Sequence, residues 1–307
     1  MRVTHAMLTE RSTLYLMRDL DQYQRIQRKI ATGRNYQLPS EAPVESTQIL
    51  HFTTKKAESE QYRSAIDTGL AWTEMTSTVL TQIEELLSDI LDVSNAVSSH
   101  AATSAERAQA AVAINSLTEE LAMLANRQYR GKYLFGGDET LTAPFTVGYA
   151  PDGQTITGVT ANPNGIDGRW GFLVSPVDTV TINTPGSKVF HPDGEGSNDD
   201  IFVILKDLRY TLQNQHFEEM AIEESRLRNA ILRVSGTNAE VGGRIQHLES
   251  LAEDLDATVL SYETERSKLE DADLAEAIVE FNVAENIYQA ALASTARILQ
   301  FSLVDFL

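Results

Sequence analysis

Apolar residues recur at Val79, Ile83, Leu86, Ile90, Val93 and Val97, spaced 4,3,4,3,4. Six successive seam positions filled in this way predict a helix packed along one face. A second run, Ile245, Leu248, Leu251, Leu255, Val259 and Tyr262, predicts another such helix late in the chain. Both ends carry looser stripes. Near the start it is Leu16, Leu20, Tyr23, Ile26 and Ile30. Near the end it is Leu274, Ile278, Phe281, Tyr288, Leu292 and Leu299, continued by Leu303 and Phe306 and interrupted at Glu285 and Thr295. These end residues are the candidates for subunit and axial-helix packing.

The final stretch, Leu269 to Leu307, holds no Gly or Pro and reads as one long helix. Asp273 followed by Glu276 resembles a capping box, and the acids Glu270, Asp271 and Asp273 suit the positive end of a helix dipole. From Asn286 to Val304 the only charged side chain is Arg297. A helix so poor in charge is not stable alone in water and needs partners on more than one side. The other end of the chain is a candidate partner. Residues 1–34 carry seven basic side chains against three acidic ones, a net of +4, while residues 264–307 carry three against eight, a net of −5. Opposite charge and two apolar stripes fit a terminal coiled-coil pair, although separate docking of each end on a globular body fits the same pattern.

Between the ends, Gly33, Pro39 and Pro43 mark a loop, with Ser40 a candidate cap for the helix that follows. Gly69 is a weak interruption of that helix. Residues 98–104 read as a break, after which Thr103 and Glu106 form a capping box for a third helix running to about Tyr129. From Gly131 the texture changes. Turn signals at Gly136-Gly137, Pro151-Asp152-Gly153, Asn162-Pro163-Asn164-Gly165 and Thr184-Pro185-Gly186 separate short β-favouring runs, which predicts an insert of hairpins. Helix resumes after the cap cluster Asn198-Asp199-Asp200, and bending or a break is expected at Ser235-Gly236 and Gly242-Gly243. The expected fold is therefore mainly α with a β-rich insert. A long antiparallel helical bundle or coiled coil is formed by the N- and C-terminal segments, and a small β domain projects from the middle. Its parts are an N-terminal axial helix (1–34), a first half-stem (35–131), the outer β domain (132–197), a second half-stem (198–268) and a C-terminal axial helix (269–307).

The net charge of −19 argues against nucleic acid or an anionic membrane as partner. No segment is apolar enough to span a bilayer, and the first residues lack the continuous apolar core of a secretory signal. Cysteine is absent, which removes disulfides and thiolate chemistry. His5, His51, His100, His191, His216 and His247 are scattered, without metal-ligand spacing. The acidic run HPDGEGSNDD does not keep the spacing of a calcium loop, and a helix cap explains the same residues. Tyr129, Tyr133, Phe135 and Phe145 are read as packing of the insert onto the stem. Phosphate-loop, dinucleotide and nucleophile-elbow motifs are missing, so neither an enzyme nor a cofactor is expected.

Several stretches carry a resemblance. ATGRNYQLPSEAPVESTQIL (31–50) resembles the loop after the first helix of the bacterial flagellin family, with Glu41 in place of the first acid of its P-S-D-D-P pattern and Ala42 replacing the second. LANRQYRGKYLFGGDETLTAPF (124–145) resembles the lead-in to the β domain of that family's hook–filament junction branch, hook-associated protein 3. RVSGTNAEVGGRIQHLES (233–250) is similar to the returning helix, without matching its spacing residue for residue. LEDADLAEAIVEFNVAENIYQAAL and SLVDFL resemble the family's C-terminal helix and its ending. The resemblance implies a structural subunit exported unfolded through the flagellar type III channel, with an export chaperone on the C-terminal helix. It implies extracellular assembly into a ring of identical copies, between hook-associated protein 1 beneath and flagellin above, with chain ends that are disordered until assembly. A minor flagellin shares both ends and remains an alternative. An intracellular coiled-coil adaptor is a third.

Overall fold

The computed structural model describes residues 5–98, 102–214 and 217–304. Seven helices and six short strands follow one another: α1 (His5–Thr32), α2 (Pro43–Val97), α3 (Ser104–Ala125), β1 (Gln128–Tyr129), β2 (Lys132–Tyr133), β3 (Phe145–Tyr149), β4 (Ile156–Ala161), β5 (Gly171–Leu173), β6 (Thr179–Thr181), α4 (Gly186–Phe190), α5 (Ile201–Asn214), α6 (Phe217–Glu270) and α7 (Leu274–Val304). The chain divides into two units. One combines residues 1–58 with 258–307, and the other is Ser59–Ala257. The fold is mainly helical with small antiparallel sheets in the middle of the chain, as the hydrophobic pattern predicts.

In the central unit α2 and α6 run antiparallel. Arg63 pairs with Asp256, Ser77 Oγ donates to Asn238 Oδ1 at 2.7 Å, and Ser94 Oγ donates to Glu224 Oε1 at 2.9 Å, so partner numbers fall as α2 advances. Val79, Ile83, Leu86 and Ile90 are buried, and Leu248 joins the same core from α6. Gly69 does not interrupt α2. It admits close approach, because a Cβ there would stand 3.1 Å from the Ile182 side chain. The expected bend or break in α6 is absent as a break: helix continues through Gly236, Gly242 and Gly243, each facing open space. The i→i−4 ladder costs only about 1 kcal/mol per glycine relative to alanine, which a helix of this length absorbs.

Thr103 and Glu106 form the reciprocal capping box that starts α3, and Asp200 Oδ1 accepts from the Phe202 amide at 2.9 Å to start α5. α3 ends at Ala125 rather than near Tyr129, because residues 128–133 fold back as a hairpin. Its two-residue loop puts Arg130 and Gly131 both at positive φ (51° and 78°), the geometry that matches strand twist. The β3–β4 hairpin is held on α3 by side-chain amides acting as strand partners. Asn126 donates to the Phe145 carbonyl (2.9 Å) and accepts from its amide (3.0 Å), while Asn115 does the same for the Gln154 carbonyl and the Ile156 amide. Below it, Phe145 and Phe190 lie 4.8 Å apart centroid to centroid, and Phe135, Phe190 and Phe202 complete the aromatic cluster. The short helix α4 is not foreshadowed by any periodic pattern.

In the terminal unit Ala42 offers its carbonyl to the Ser46 amide (2.9 Å) and so opens α2, with Pro43 at its first position. Ser40 lies two residues too early to cap it. α6 and α7 are separate helices. The continuous helix expected from Leu269 is broken at Asp271–Asp273, where Asp273 Oδ1 caps α7 by accepting from the Ala275 amide at 2.9 Å and the Glu276 amide at 3.2 Å.

Candidate assembly surface on the terminal helix pair

The break between α6 and α7 allows the chain to turn and meet the segment after α1. Gly33, in the left-handed region at φ 67°, ends α1 and offers its carbonyl to the Ala272 amide at 2.9 Å. The Asn35 amide donates to the Glu270 carbonyl at 2.8 Å, and the Asn35 side chain donates to the Asp271 carbonyl at 2.8 Å. Arg34 pairs with Glu270 at 3.0 Å. Glu41 folds over the same loop, where the amides of Gln37 and Leu38 donate to it and hold its carboxyl below the usual range. These bonds bring the two chain ends side by side.

From this junction α1 and α7 run antiparallel. Lys29 lies 3.8 Å from Glu280, and Tyr23 stands 5.0 Å from Phe281 and 5.9 Å from Tyr288 between ring centroids. Opposite net charges at the two ends thus become ion pairs between α1 or its following loop and the acidic segment. Half-exposed pairs of this kind contribute about 0–1 kcal/mol each, so they set direction more than stability.

Among the described side chains of the two helices, only Ile26, Ala277 and Ala284 are buried. Phe281, Tyr288, Ala291 and Thr295 are half-buried on the same side as Ala277 and Ala284, and Leu16, Leu20, Tyr23 and Ile30 are half-buried on α1. Leu274, Ile278 and Leu292, read from the pattern as packing residues, are 48%, 50% and 42% exposed in the single chain. Val279, Val283 and Ile287 are also exposed, on the opposite flank of α7 from Leu274, Ile278 and Leu292. Leu14, Tyr15 and Met17 are exposed on α1. The side chains of Leu299 and Leu303, and the whole of Phe306, lie outside the described residues. Sequence periodicity did not separate the face turned to α1 from the exposed flanks, since two of the buried positions are alanines flanked by larger apolar residues.

One fully buried isoleucine contributes about 1.5–3 kcal/mol, an alanine less. Ordering each residue of a helix costs about 1–2 kcal/mol of backbone entropy before hydrogen bonds and contacts offset it. Three buried side chains are therefore a thin contact for helices of this length. Among the described side chains, exposed large apolar residues outnumber the buried ones on both helices, and the arrangement offers packing surface rather than chemistry.

The pattern of paired ends around a β-bearing middle is matched by two family models. The bacterial flagellin N-terminal helical region matches residues 3–140, and the bacterial flagellin C-terminal helical region matches residues 225–307, together well over half of the chain. This chain belongs to the bacterial flagellin family. Within reach of that family, the flagellar hook-associated protein 3 of Escherichia coli (strain K12) is 22% identical over 95% of both chains. The solved structure assigned to a flagellar hook-associated protein of Vibrio parahaemolyticus shares the fold at a TM-score of 0.66 and 18% identity, covering 75% of this chain and all of that one. The hook-associated protein 3 of Legionella pneumophila does so at 0.61 and 12% identity, covering 72% and 98%. The flagellin-family chain described here is thus a structural component of the flagellum, from a family that is not enzymatic. Among the described residues no helix is long and apolar enough to cross a membrane.

Proposed function

We propose that this flagellin-family chain is the junction subunit of the bacterial flagellum. Copies of it form a ring that joins the hook, through hook-associated protein 1, to the flagellin filament. The chain is exported unfolded through the flagellar type III channel and folds extracellularly on assembly. An export chaperone covers its C-terminal helix beforehand. The observation that carries the reading is the apolar surface of α7, Leu274, Ile278 and Leu292 on one flank and Val279, Val283 and Ile287 on the other, left open by the partner helix of the same chain. Neighbouring copies are its occupants, and Leu16, Leu20, Tyr23, Ile30, Phe281 and Tyr288, with Leu299, Leu303 and Phe306 beyond them, complete the packing set. The hook-associated relatives support the position at the junction.

Deleting the gene tests it. Hooks are then expected bare, with flagellin monomer released into the medium. The matches at both ends to flagellin's helical regions favour a second reading, a minor filament subunit. Filaments that persist in the deletion strain decide for that reading and against the junction.

A further inference from the structure

A small, partly open cavity of about 120 Å³ lies in the central unit, where the segment around β6 and α4 meets α6. It is lined by Arg169, Thr184, Lys188, Glu240 and Arg244, among others. Thr184 is 2% exposed, and its Oγ1 is buried without a protein hydrogen-bond partner. An unpartnered buried hydroxyl costs about 1–3 kcal/mol, so its position in the wall of a polar cavity points to something that binds there.

The charges define what fits. Three cations line the cavity against one carboxylate, in a chain whose net charge is −19. Lys188 pairs with Glu240. Arg244 Nη1 donates to the carbonyls of Asn183 at 3.1 Å and Ile182 at 3.3 Å, which fixes the guanidinium at the wall and leaves its other N–H groups in hand. Burial lowers the Arg244 pKa below its ordinary value; Glu240 opposes that shift and the nearby Arg169 adds to it by repulsion. Two guanidiniums that repel one another beside an unpartnered hydroxyl are relieved by an anion, which accepts from all three. A volume of about 120 Å³ has room for a single tetrahedral oxyanion.

We infer that this cavity binds one small tetrahedral oxyanion, inorganic phosphate or sulfate, held by Arg169, Thr184 Oγ1, Lys188 and Arg244. Such an anion ties the loop before β5 and the turn into α4 to α6. Isothermal titration of the full purified chain with sodium phosphate and with sodium sulfate, against sodium chloride of equal ionic strength, tests it. The expected result is saturable binding at one site per chain, absent for chloride. Arg169→Gln, an exposed position that leaves the fold alone, weakens it about tenfold or more. Thr184→Val weakens it too, while its melting temperature in chloride is unchanged or raised, because an unpartnered hydroxyl has been removed. Absence of saturable binding, or equal affinity in the parent chain and both variants, overturns the inference and leaves the cavity to water.

Discussion

Replacing Ile278 by aspartate separates the single chain from the assembled one. In the single chain Ile278 is 50% exposed, one position beyond the buried Ala277. A carboxylate there stays in water, and an exposed substitution of this kind changes stability by no more than about 0.5 kcal/mol. In an assembly that covers the exposed flanks of α7, the exposed half of the isoleucine contributes about 1 kcal/mol per subunit, taking half of the full-burial value. An unpaired carboxylate forced into the same contact costs several kcal/mol more, unless it finds a cation or leaves the contact. In the ring proposed above this total repeats at every copy, so incorporation is expected to be lost while folding is kept. The assay has two parts: circular dichroism melting of purified Ile278→Asp beside the parent, and a blot of sheared flagella from a strain carrying the variant. The expected outcome is an unchanged melt with no variant in the sheared fraction, and Val283→Asp behaves alike. Normal incorporation of both variants refutes the reasoning, because both flanks of α7 then meet solvent in the flagellum as they do in the single chain.

Other expectations concern the central unit. Asp152 accepts from the Thr155 hydroxyl and from the Thr155 and Gln154 amides, which hold its pKa at about 2 against an ordinary 3.8. A depressed carboxyl stabilises above its unfolded value and stops doing so as pH falls through the folded one, so the β3–β4 turn is expected to loosen between about pH 4 and pH 2, read as a lower protection factor of the Thr155 amide relative to its intrinsic exchange at each pH. Gly137 sits at φ 59° with a site for Cβ that collides with the Gly165 carbonyl, so Gly137→Ala should cost roughly 3 kcal/mol or more in urea unfolding. Thr103→Ala removes one half of the box that starts α3 and should cost about 1 kcal/mol by the same measurement.

The fold was legible where single residues carry strong local physics. The heptad run Val79–Val97, the box at Thr103 and Glu106, the cap at Asp200 and the turn dipeptides of the insert each report a local preference that the core then satisfies. Other features were not fully legible. The division of α6 from α7 was legible only in part: the cap at Asp273 could be read, but the end of α6 before it rests on the long-range bonds of Ala272 to Gly33 and Asn35 to Glu270. The uninterrupted course of α6 through Gly236, Gly242 and Gly243 is a tertiary override of local propensity. The face that α7 turns to α1 is marked by Ala277 and Ala284, too small to stand out beside Leu274 and Ile278. The cavity lined by Thr184 and Arg244 joins residues far apart in sequence, with no motif to announce it.

The account depends most on the idea that α1 and α7 gain their stability from other subunits. Amide hydrogen exchange compares them directly, in the purified monomer and in sheared flagella. The account predicts rapid exchange along Leu16–Ile30 and Leu274–Leu292 in the monomer, against slow exchange along α2 from Val79 to Ile90, and strong protection of all three in the flagellum. Equal protection of the terminal helices in monomer and flagellum would contradict it.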